Sequence, residues 1–283
     1  MQLTHIRARP IGPVIGAMIE DVDLNAVTSD AVYDEIRAAL WRHHVLFFRN
    51  QPLTPEAFLR LGQAFGTPER HEYFPHPEGF PEIQLVESLG EKAPDTDHWH
   101  TDVTFRAEPS LVGMLRAVEL PPRGGDTLWM STGAAYDALA PGLQQFLHGL
   151  DAVHDLAHFF RRVGFLEKRN QADRLITLMQ ENPSQTHPVV IAHPVTGRPT
   201  LFVNSIWTQR IADIDLRLSD RLLAMLWDWI AQPDFQLRFQ WEPDSVAIWD
   251  NIGTQHFAVF DYAPAQRRMQ RMTCGSTRPR RFK

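Results

Sequence analysis

Two histidines and two aspartates flank one tryptophan in the stretch DHWHTDVTF, residues 97–105. Side chains at positions i and i+2 of an extended strand lie on the same face. If WHTDVTF is extended, His100 and Asp102 therefore point the same way. An imidazole nitrogen and a carboxylate oxygen together suit Fe(II), Mn(II) or Zn(II). A hydrogen-bonded pair on the surface has the same sequence, so a metal site needs a third ligand elsewhere in the chain.

The best third ligand is His256, one of thirteen histidines. It follows an apolar predicted strand, SVAIW, and the turn-rich DNIG, and such a junction can place a ligand at the mouth of a barrel. With His100 and Asp102 it would complete the two-histidine, one-carboxylate set of non-haem iron oxygenases. That set leaves coordination positions open for other molecules.

Two arginines follow in QRRMQR. Arg267 and Arg271 are four residues apart, and the spacing predicts that they share one face of a strand, with Arg268 and Gln270 on the other. Two guanidinium groups directed into one pocket require anions, because an unpaired buried charge is costly. Each also offers a fork that fits a carboxylate or a sulfonate. The alternative is a pair of surface arginines on an edge strand.

The elements that must position these residues are mostly short strands after residue 80. Helices are predicted after Thr54, around Ala134–Leu147 and around Leu218–Ile230, and another begins near Thr28. The segment HPVTGRPT reads as a hairpin in which Gly197 takes a positive φ. Many strands with segregated helices predict a mainly β fold, a sandwich or barrel with peripheral helices.

Composition limits the class of protein. The 283 residues, 43% of them hydrophobic, are predicted to form a single domain over 1–283. A net charge of -6 gives no general attraction for nucleic acid. No window is apolar for long enough to cross a membrane. The single cysteine, Cys274, fits a reducing cytoplasm. The basic ending RPRRFK is predicted to be a solvated tail.

Several motifs together resemble the taurine dioxygenase family of Fe(II)/2-oxoglutarate-dependent oxygenases. They are WHTDVTF, GGDTLW, HPVV..HP.TG...LFVN, AIWDN..TQH and QRRMQR, in the family's order and spacing. The resemblance runs from RPIGPVIGAMIEDVDL to the final predicted strand, so it covers nearly the whole chain. It implies a double-stranded β-helix, or jelly-roll, core.

The resemblance also implies roles for the residues found above. Fe(II) would be held by His100, Asp102 and His256, and 2-oxoglutarate would bind the metal through its oxo acid end. Its distal carboxylate would be bound by Arg267 and Thr127. The enzyme would use O2, release succinate and CO2, and hydroxylate the carbon beside a sulfonate or sulfate. The unstable product would give an aldehyde and sulfite or sulfate.

The resemblance assigns the substrate's anionic group to His71, Arg271 and the backbone N–H of Val103. At the other end of the substrate this chain departs from the taurine pattern, because Phe74 replaces a tyrosine and Thr96 replaces an asparagine. Asp95 is retained, and Phe160 and Trp207 supply apolar walls. These changes remove partners for an amine, so an alkyl or aryl sulfonate or sulfate ester is expected at least as much as taurine.

Other functions remain open on the sequence. Arg271 does not choose among anions by charge alone, so a carboxylate such as an aryloxyalkanoate is an alternative substrate. A zinc metallohydrolase would use the same triad without O2 or an oxo acid. A jelly-roll binding module would tolerate the loss of a ligand. A homo-oligomer, dimer or tetramer, is expected.

Overall fold

A computed structural model of the chain describes residues 3–70, 75–88, 97–162 and 172–283. Within these ranges the strands are β1 Arg7–Pro10, β2 Ala17–Glu20, β3 Val45–Phe48, β4 Gln84–Ser88, β5 Ser110–Glu119, β6 Thr127–Ser131, β7 Asp151–His154, β8 Gln185–Pro188, β9 Val190–Ala192, β10 Pro199–Leu201, β11 Thr208–Ile211, β12 Gln236–Phe239, β13 Val246–Asp250, β14 Thr254–Ala258, β15 Arg267–Ser276 and β16 Arg280–Arg281. The helices are α1 Asp30–His43, α2 Pro55–Gln63, α3 Thr132–Asp137, α4 Pro141–His148, α5 Leu156–Arg162, α6 Ala172–Glu181 and α7 Leu216–Ile230.

The largest sheet has the strand order β1-β2-β3-β13-β5-β15-β4. Its central strands β13, β5 and β15 pair antiparallel, so residues far apart in sequence become neighbours. A smaller sheet, β12-β6-β14, contains the strand that carries His256. Two further three-stranded sheets, β11-β7-β8 and β10-β9-β16, complete the β structure of the described residues.

An aromatic core lies between the largest sheet and the β12-β6-β14 sheet. Phe47 and Trp249 from the first pack with Trp129 and Phe239 from the second, and Met269 of β15 joins them. Fully burying one such side chain contributes about 1.5–3 kcal/mol relative to leaving it exposed. Two sheets, antiparallel except where β2 pairs with β3, pack over one core and form the jelly roll expected from the sequence. The mainly β prediction is confirmed.

Helices cover the outer face of the largest sheet. Ile36 and Leu40 of α1 and Phe58 and Leu61 of α2 are buried there, in one apolar cluster that includes Met272 of β15. Both helices begin where the sequence predicted, after Ser29 and Thr54. The Thr54 side chain accepts a hydrogen bond from the Ala57 N–H at the start of α2. None of the described helices is long and apolar enough to cross a membrane.

Three local predictions were wrong. The helix expected over Ala134–Leu147 is two helices, α3 and α4, because Pro141 begins a new helix and cannot continue the first. The segment WHTDVTF is not extended over its whole length as predicted, because Asp102–Phe105 forms a turn. The basic ending is not a solvated tail, because Arg280–Arg281 pair with β9 as strand β16.

Side chains also fix the C-terminal segment. The Arg281 guanidinium donates to the Leu150 carbonyl oxygen at 3.2 Å and pairs with Asp151 at 2.7 Å. Phe282 packs edge-on against His148, with 5.5 Å between ring centroids. The Arg281 side chain thus satisfies a carbonyl and a carboxylate group, which composition alone does not reveal.

Candidate metal and co-substrate site

A backbone pairing brings the two candidate histidine ligands side by side. The His100 N–H donates to the His256 carbonyl oxygen at 3.1 Å, and the His256 N–H donates to the His100 carbonyl oxygen at 2.8 Å. Next to this pairing, the Thr101 hydroxyl donates to the Thr254 carbonyl oxygen at 2.8 Å, which adds a further hydrogen bond between the two segments. This short antiparallel bridge places the two imidazole rings 4.1 Å apart, centroid to centroid.

Asp102 leaves the bridge and starts a turn. Asn251 holds its backbone on both sides: the Asp102 N–H donates to Asn251 Oδ1 at 2.9 Å, and Asn251 Nδ2 donates to the Asp102 carbonyl oxygen at 3.3 Å. The next residue, Val103, has φ of 50°, a strained conformation for a β-branched side chain. The turn, rather than an extended strand, therefore directs the carboxylate toward the histidines.

The three candidate ligands converge on one point. Asp102 Oδ1 lies 3.7 Å from His100 Nε2 and 3.8 Å from His256 Nε2, beyond hydrogen-bonding distance. One ligand atom from each residue lies within 4.8 Å of the others, and His100 and Asp102 are almost inaccessible to solvent. Buried donor atoms that face each other without hydrogen bonds fit a divalent metal ion between them.

The protonation states also fit a metal. His100 Nδ1 lies 2.7 Å from the His98 carbonyl oxygen, which can only accept, so Nδ1 carries the proton and Nε2 keeps its lone pair. Burial lowers the pKa of both His100 and His256, and His100 adds to the effect on His256. Both imidazoles are therefore neutral, which is the form that binds metals.

Arg271 pairs with the second oxygen of the Asp102 carboxylate. Its Nη2 lies 2.5 Å from Asp102 Oδ2, and its Nη1 donates to Gln84 Oε1 at 3.3 Å. Burial would raise the pKa of Asp102, but Arg271, followed by the two histidines, outweighs it and holds that pKa below its usual range. Asp102 is thus a carboxylate whose Oδ1 alone is directed at the histidines.

Arg267 lies farther along the same strand face. Met269, between the two arginines, is completely buried in the aromatic core, whereas Arg268 pairs with Glu87 and Glu119 on the other face. The alternation predicted for QRRMQR is therefore confirmed. Four residues of strand span roughly 13 Å, so the Cα atoms of the two arginines lie about that far apart on one face of β15.

Arg267 is 7% exposed and has no carboxylate within 4.0 Å among the described residues. Its Nε donates to the Gly125 carbonyl oxygen at 3.0 Å, and Nη2 lies 3.4 Å from Thr127 Oγ1. Burial lowers the pKa of Arg267 to about 10. Asp126 is nearby, but it is paired with Arg238 at 2.6 Å. A buried cation in this state is suited to an anionic ligand.

Two glycines allow this approach. Gly124 and Gly125 both have positive φ, 78° and 72°. A Cβ on Gly125 would lie 3.1 Å from the Arg267 side chain. The tight turn predicted for GGDTLW therefore exists, and it brings a carbonyl oxygen to the guanidinium.

An apolar cluster lies beside the Val103 turn. Phe160 and Trp207, the predicted apolar walls, pack there with Phe105 and Leu178, and Val103 itself joins them. Trp207 is held between aromatic rings, at 4.7 Å from Phe105 and 5.0 Å from Phe159, centroid to centroid. The structure thus brings Val103, Phe160 and Trp207 together. The other predicted substrate residues, His71, Phe74, Asp95 and Thr96, lie outside the described residues.

Sequence reasoning missed several residues of the site. Asn251 belongs to the AIWDN motif, but no function was predicted for it from the sequence. Its position, between a buried strand and the ligand His256, could have indicated that its side chain binds the backbone of a neighbouring segment. Trp241 donates its indole N–H to Thr127 Oγ1 at 3.0 Å and so orients that hydroxyl. Phe105 ends the WHTDVTF motif, but only the turn at Val103 directs it into the apolar cluster.

Comparison with known proteins gives consistent matches over nearly the whole chain. The alkylsulfatase of Acinetobacter baylyi is 33% identical over 271 residues, covering 95% of this chain and 84% of the relative. The alpha-ketoglutarate-dependent sulfate ester dioxygenase of Pseudomonas putida is 34% identical over 281 residues, covering 97% and 91%. The crystal structure of a taurine dioxygenase from Burkholderia xenovorans matches with a TM-score of 0.82 at 33% identity, covering 98% of this chain and 91% of the other.

The family model described as taurine catabolism dioxygenase TauD, TfdA family matches residues 7–273. That range includes every residue of the triad and both arginines. The chain belongs to the TauD, TfdA family and is a 2-oxoglutarate-dependent dioxygenase.

Proposed function

We propose that this enzyme hydroxylates the carbon next to a sulfonate or sulfate group, using Fe(II), 2-oxoglutarate and O2. The products would be succinate, CO2, an aldehyde and sulfite or sulfate. The observation that carries the proposal is the triad His100, Asp102 and His256, with a partly buried arginine on Asp102 and a buried one without an acidic partner among the described residues. The names of the relatives above support the organosulfur substrate.

The metal and the distal carboxylate of 2-oxoglutarate would lie near opposite ends of the strand face that carries Arg271 and Arg267. His100, Asp102 and His256 would hold the iron, which together with 2-oxoglutarate would supply the O2 chemistry. Arg267 binds the distal carboxylate through its fork, and Thr127 adds a hydroxyl. A five-carbon diacid and one arginine side chain together fill the roughly 13 Å between the two arginine positions.

The substrate's anionic group would bind Arg271. This guanidinium has five N–H donors in total, enough to hold Asp102 and an anion at once. We assign His71 and the Val103 N–H to the same group. Once the neighbouring carbon is hydroxylated, the hydroxyl proton leaves, a carbonyl forms, and the bond from that carbon to sulfur, or to the ester oxygen of a sulfate, breaks.

The apolar cluster favours a hydrophobic tail. Phe160 and Trp207 form its walls with Phe105 and Leu178, and none of these side chains carries a charge. We assign Phe74, Asp95 and Thr96 to the same end of the substrate. An ammonium placed against Phe74 would lose hydration and keep only Asp95 and any cation–π contact. Each buried methylene should instead contribute up to about 0.8 kcal/mol, roughly fourfold in affinity.

A carboxylate substrate such as an aryloxyalkanoate is a second candidate. Arg271 already binds a carboxylate, that of Asp102, so its guanidinium does not select sulfur oxyanions by itself. The two candidates differ in product, because a carboxylate releases no sulfite or sulfate.

A substrate panel tests the proposal. Succinate formation and sulfite or sulfate release are measured for taurine, for uncharged alkyl sulfonates and sulfates of four to six carbons, and for aryloxyalkanoates. We expect kcat/KM to rise from taurine to the uncharged chains and to fall for all of them in Arg271→Ala. Arg268→Ala, on the other strand face, is the matched control. Taurine as the best substrate by tenfold or more would contradict the assignment of the apolar tail.

We also propose that residues 1–283 act as one domain, in the cytoplasm, as a homo-oligomer. The sole cysteine is buried, and burial raises the pKa of its thiol, which fits a reducing compartment. Leu216, Leu218 and Met225 expose apolar surface on α7, as subunit contacts do. Cell fractionation and light scattering of the purified protein test these two points.

A further inference from the structure

A second buried histidine–carboxylate cluster lies beside the metal triad and is not part of it. The Asp250 side chain is completely buried, and His193 is 2% exposed. His193 Nε2 lies 2.9 and 3.0 Å from the two Asp250 oxygens, and His44 Nδ1 lies 2.9 Å from Oδ2. The proposed reaction uses none of these three side chains.

The proton positions in this cluster follow from its partners. His193 Nδ1 accepts the backbone N–H groups of Val195 and Thr196 at 3.3 and 3.1 Å, so its proton must be on Nε2, which donates to Asp250. A carboxylate only accepts, so His44 Nδ1 also donates. His193 and then His44 outweigh the effect of burial and keep the pKa of Asp250 below its usual range. Asp250 is therefore a buried anion held by two ring N–H groups.

Asp250 also determines the shape of its own turn. Its Oδ1 accepts the Ile252 N–H at 3.2 Å and the Gly253 N–H at 3.0 Å. A Cβ at Gly253 would lie 2.3 Å from Asp250 Oδ2, so the carboxylate fills the space that a side chain would need. Turn 250–253 is thereby tied to the end of α1 through His44 and to the β9–β10 hairpin through His193.

This turn carries the groups that orient the ligands. Asn251, next to Asp250, holds the N–H and the carbonyl oxygen of Asp102 and donates to the Ser110 carbonyl oxygen at 2.7 Å. The turn then leads directly into β14, which presents His256. A shift of the turn would therefore move two of the three ligands relative to His100.

We propose that Asp250, held by His44 and His193, is a positioning residue for the metal site. It acts through Asn251 and β14 and touches neither the metal nor a substrate. The inference rests on the proposed metal site. Partners that orient metal ligands typically contribute 10–100-fold to metal affinity, so loss of the Asp250 charge should weaken metal binding by that factor.

The test uses Mn(II) alone as the probe of the metal-free protein, with free Mn(II) measured by electron paramagnetic resonance well below the unfolding temperature. We expect Asp250→Asn to raise the Mn(II) Kd by 10–100-fold. Glu35→Gln is the matched control, because Glu35 is also a buried carboxylate with several N–H donors but it fixes residues 4–6. It should lower the unfolding temperature and leave the Kd unchanged.

A second pair of variants decides the matter if Asp250→Asn does not fold. His193→Leu removes the donor to Asp250, whereas His193→Gln retains an N–H, so only the former should weaken Mn(II) binding. Equal Kd values in this pair, a Kd within twofold of the wild type in Asp250→Asn, or an equal loss in Glu35→Gln would each overturn the inference. Failure of the metal site itself would show differently, as equal Mn(II) binding by the wild type and Asp102→Ala.

Discussion

Replacing Arg267 by Met should separate co-substrate binding from stability. The substitution removes a charge-assisted fork, and losing one partner of such a contact costs about 2–5 kcal/mol of binding. That corresponds to a roughly thirtyfold to several-thousandfold rise in the Kd for 2-oxoglutarate. The result should fall in the lower part of this range, because free 2-oxoglutarate keeps its hydration and no protein charge is left unpaired.

The effect on stability should be opposite to that of an ordinary core substitution. Arg267 is buried, has no carboxylate within 4.0 Å among the described residues, and has a pKa lowered to about 10. Carrying this charge costs free energy in the folded protein, and an apolar side chain of similar length removes that cost. Trp241 still donates to Thr127 in the variant. The Tm of the ligand-free protein should therefore not fall.

The assays are calorimetric titration of 2-oxoglutarate and thermal unfolding without ligands. Arg268→Met is the matched control, because its side chain lies on the other strand face, paired with Glu87 and Glu119. It should leave the Kd for 2-oxoglutarate unchanged. A large drop in Tm with an unchanged Kd in Arg267→Met would refute the reasoning and make Arg267 a structural residue.

Three further outcomes are expected. Asp102→Ala should abolish Fe(II) binding and turnover together, measured as iron content and succinate formation; full stoichiometry and activity would contradict the ligand assignment. Hydrogen bonds from residues 4–6 lower the pKa of the Glu35 carboxyl to about 2. The ionised carboxyl therefore stabilises the fold above pH 4.5, and this contribution is lost as the pH falls toward 2. The Tm measured across this range should fall more in the wild type than in Glu35→Gln. Phe282→Ala should cost about 1–2 kcal/mol in denaturant unfolding, less than a fully buried phenylalanine; no cost would mean that the C-terminal strand is not a stabilising element.

Sequence patterns predicted which residue types would bind a metal, because these types depend on the chemistry of the side chains and on the spacing of the motifs. Arg267 and Arg271 lie on one face because side chains alternate along a strand, and a short stretch of sequence is enough to predict this alternation. The assignment of His256 needed the family resemblance, since thirteen histidines were available. The prediction for the two arginines rests on strand periodicity alone, and the structure agrees with it.

The rest depended on contacts between distant segments. The turn at Val103 is imposed by Asn251, 149 residues from Asp102, and no pattern near Val103 indicates a positive φ. The contact of Arg271 with Asp102 arises from the packing of β15 across the site. The strand at Arg280–Arg281 exists because β9 offers an open edge and Asp151 a charge. None of these partners could be chosen from the sequence alone.

The bridge between residues 100–102 and 251–256 has a consequence for synthesis of the protein. A ribosome adds roughly 5–20 residues per second, so His100 and Asp102 exist for many seconds before His256 is made. Two ligands on an unfolded chain do not select a metal, and the third arrives only when the jelly roll can close. A complete set of metal ligands therefore forms only after His256 has been made. Which divalent ion enters is then determined by the metals available to the finished protein, because affinity alone would favour copper or zinc over iron.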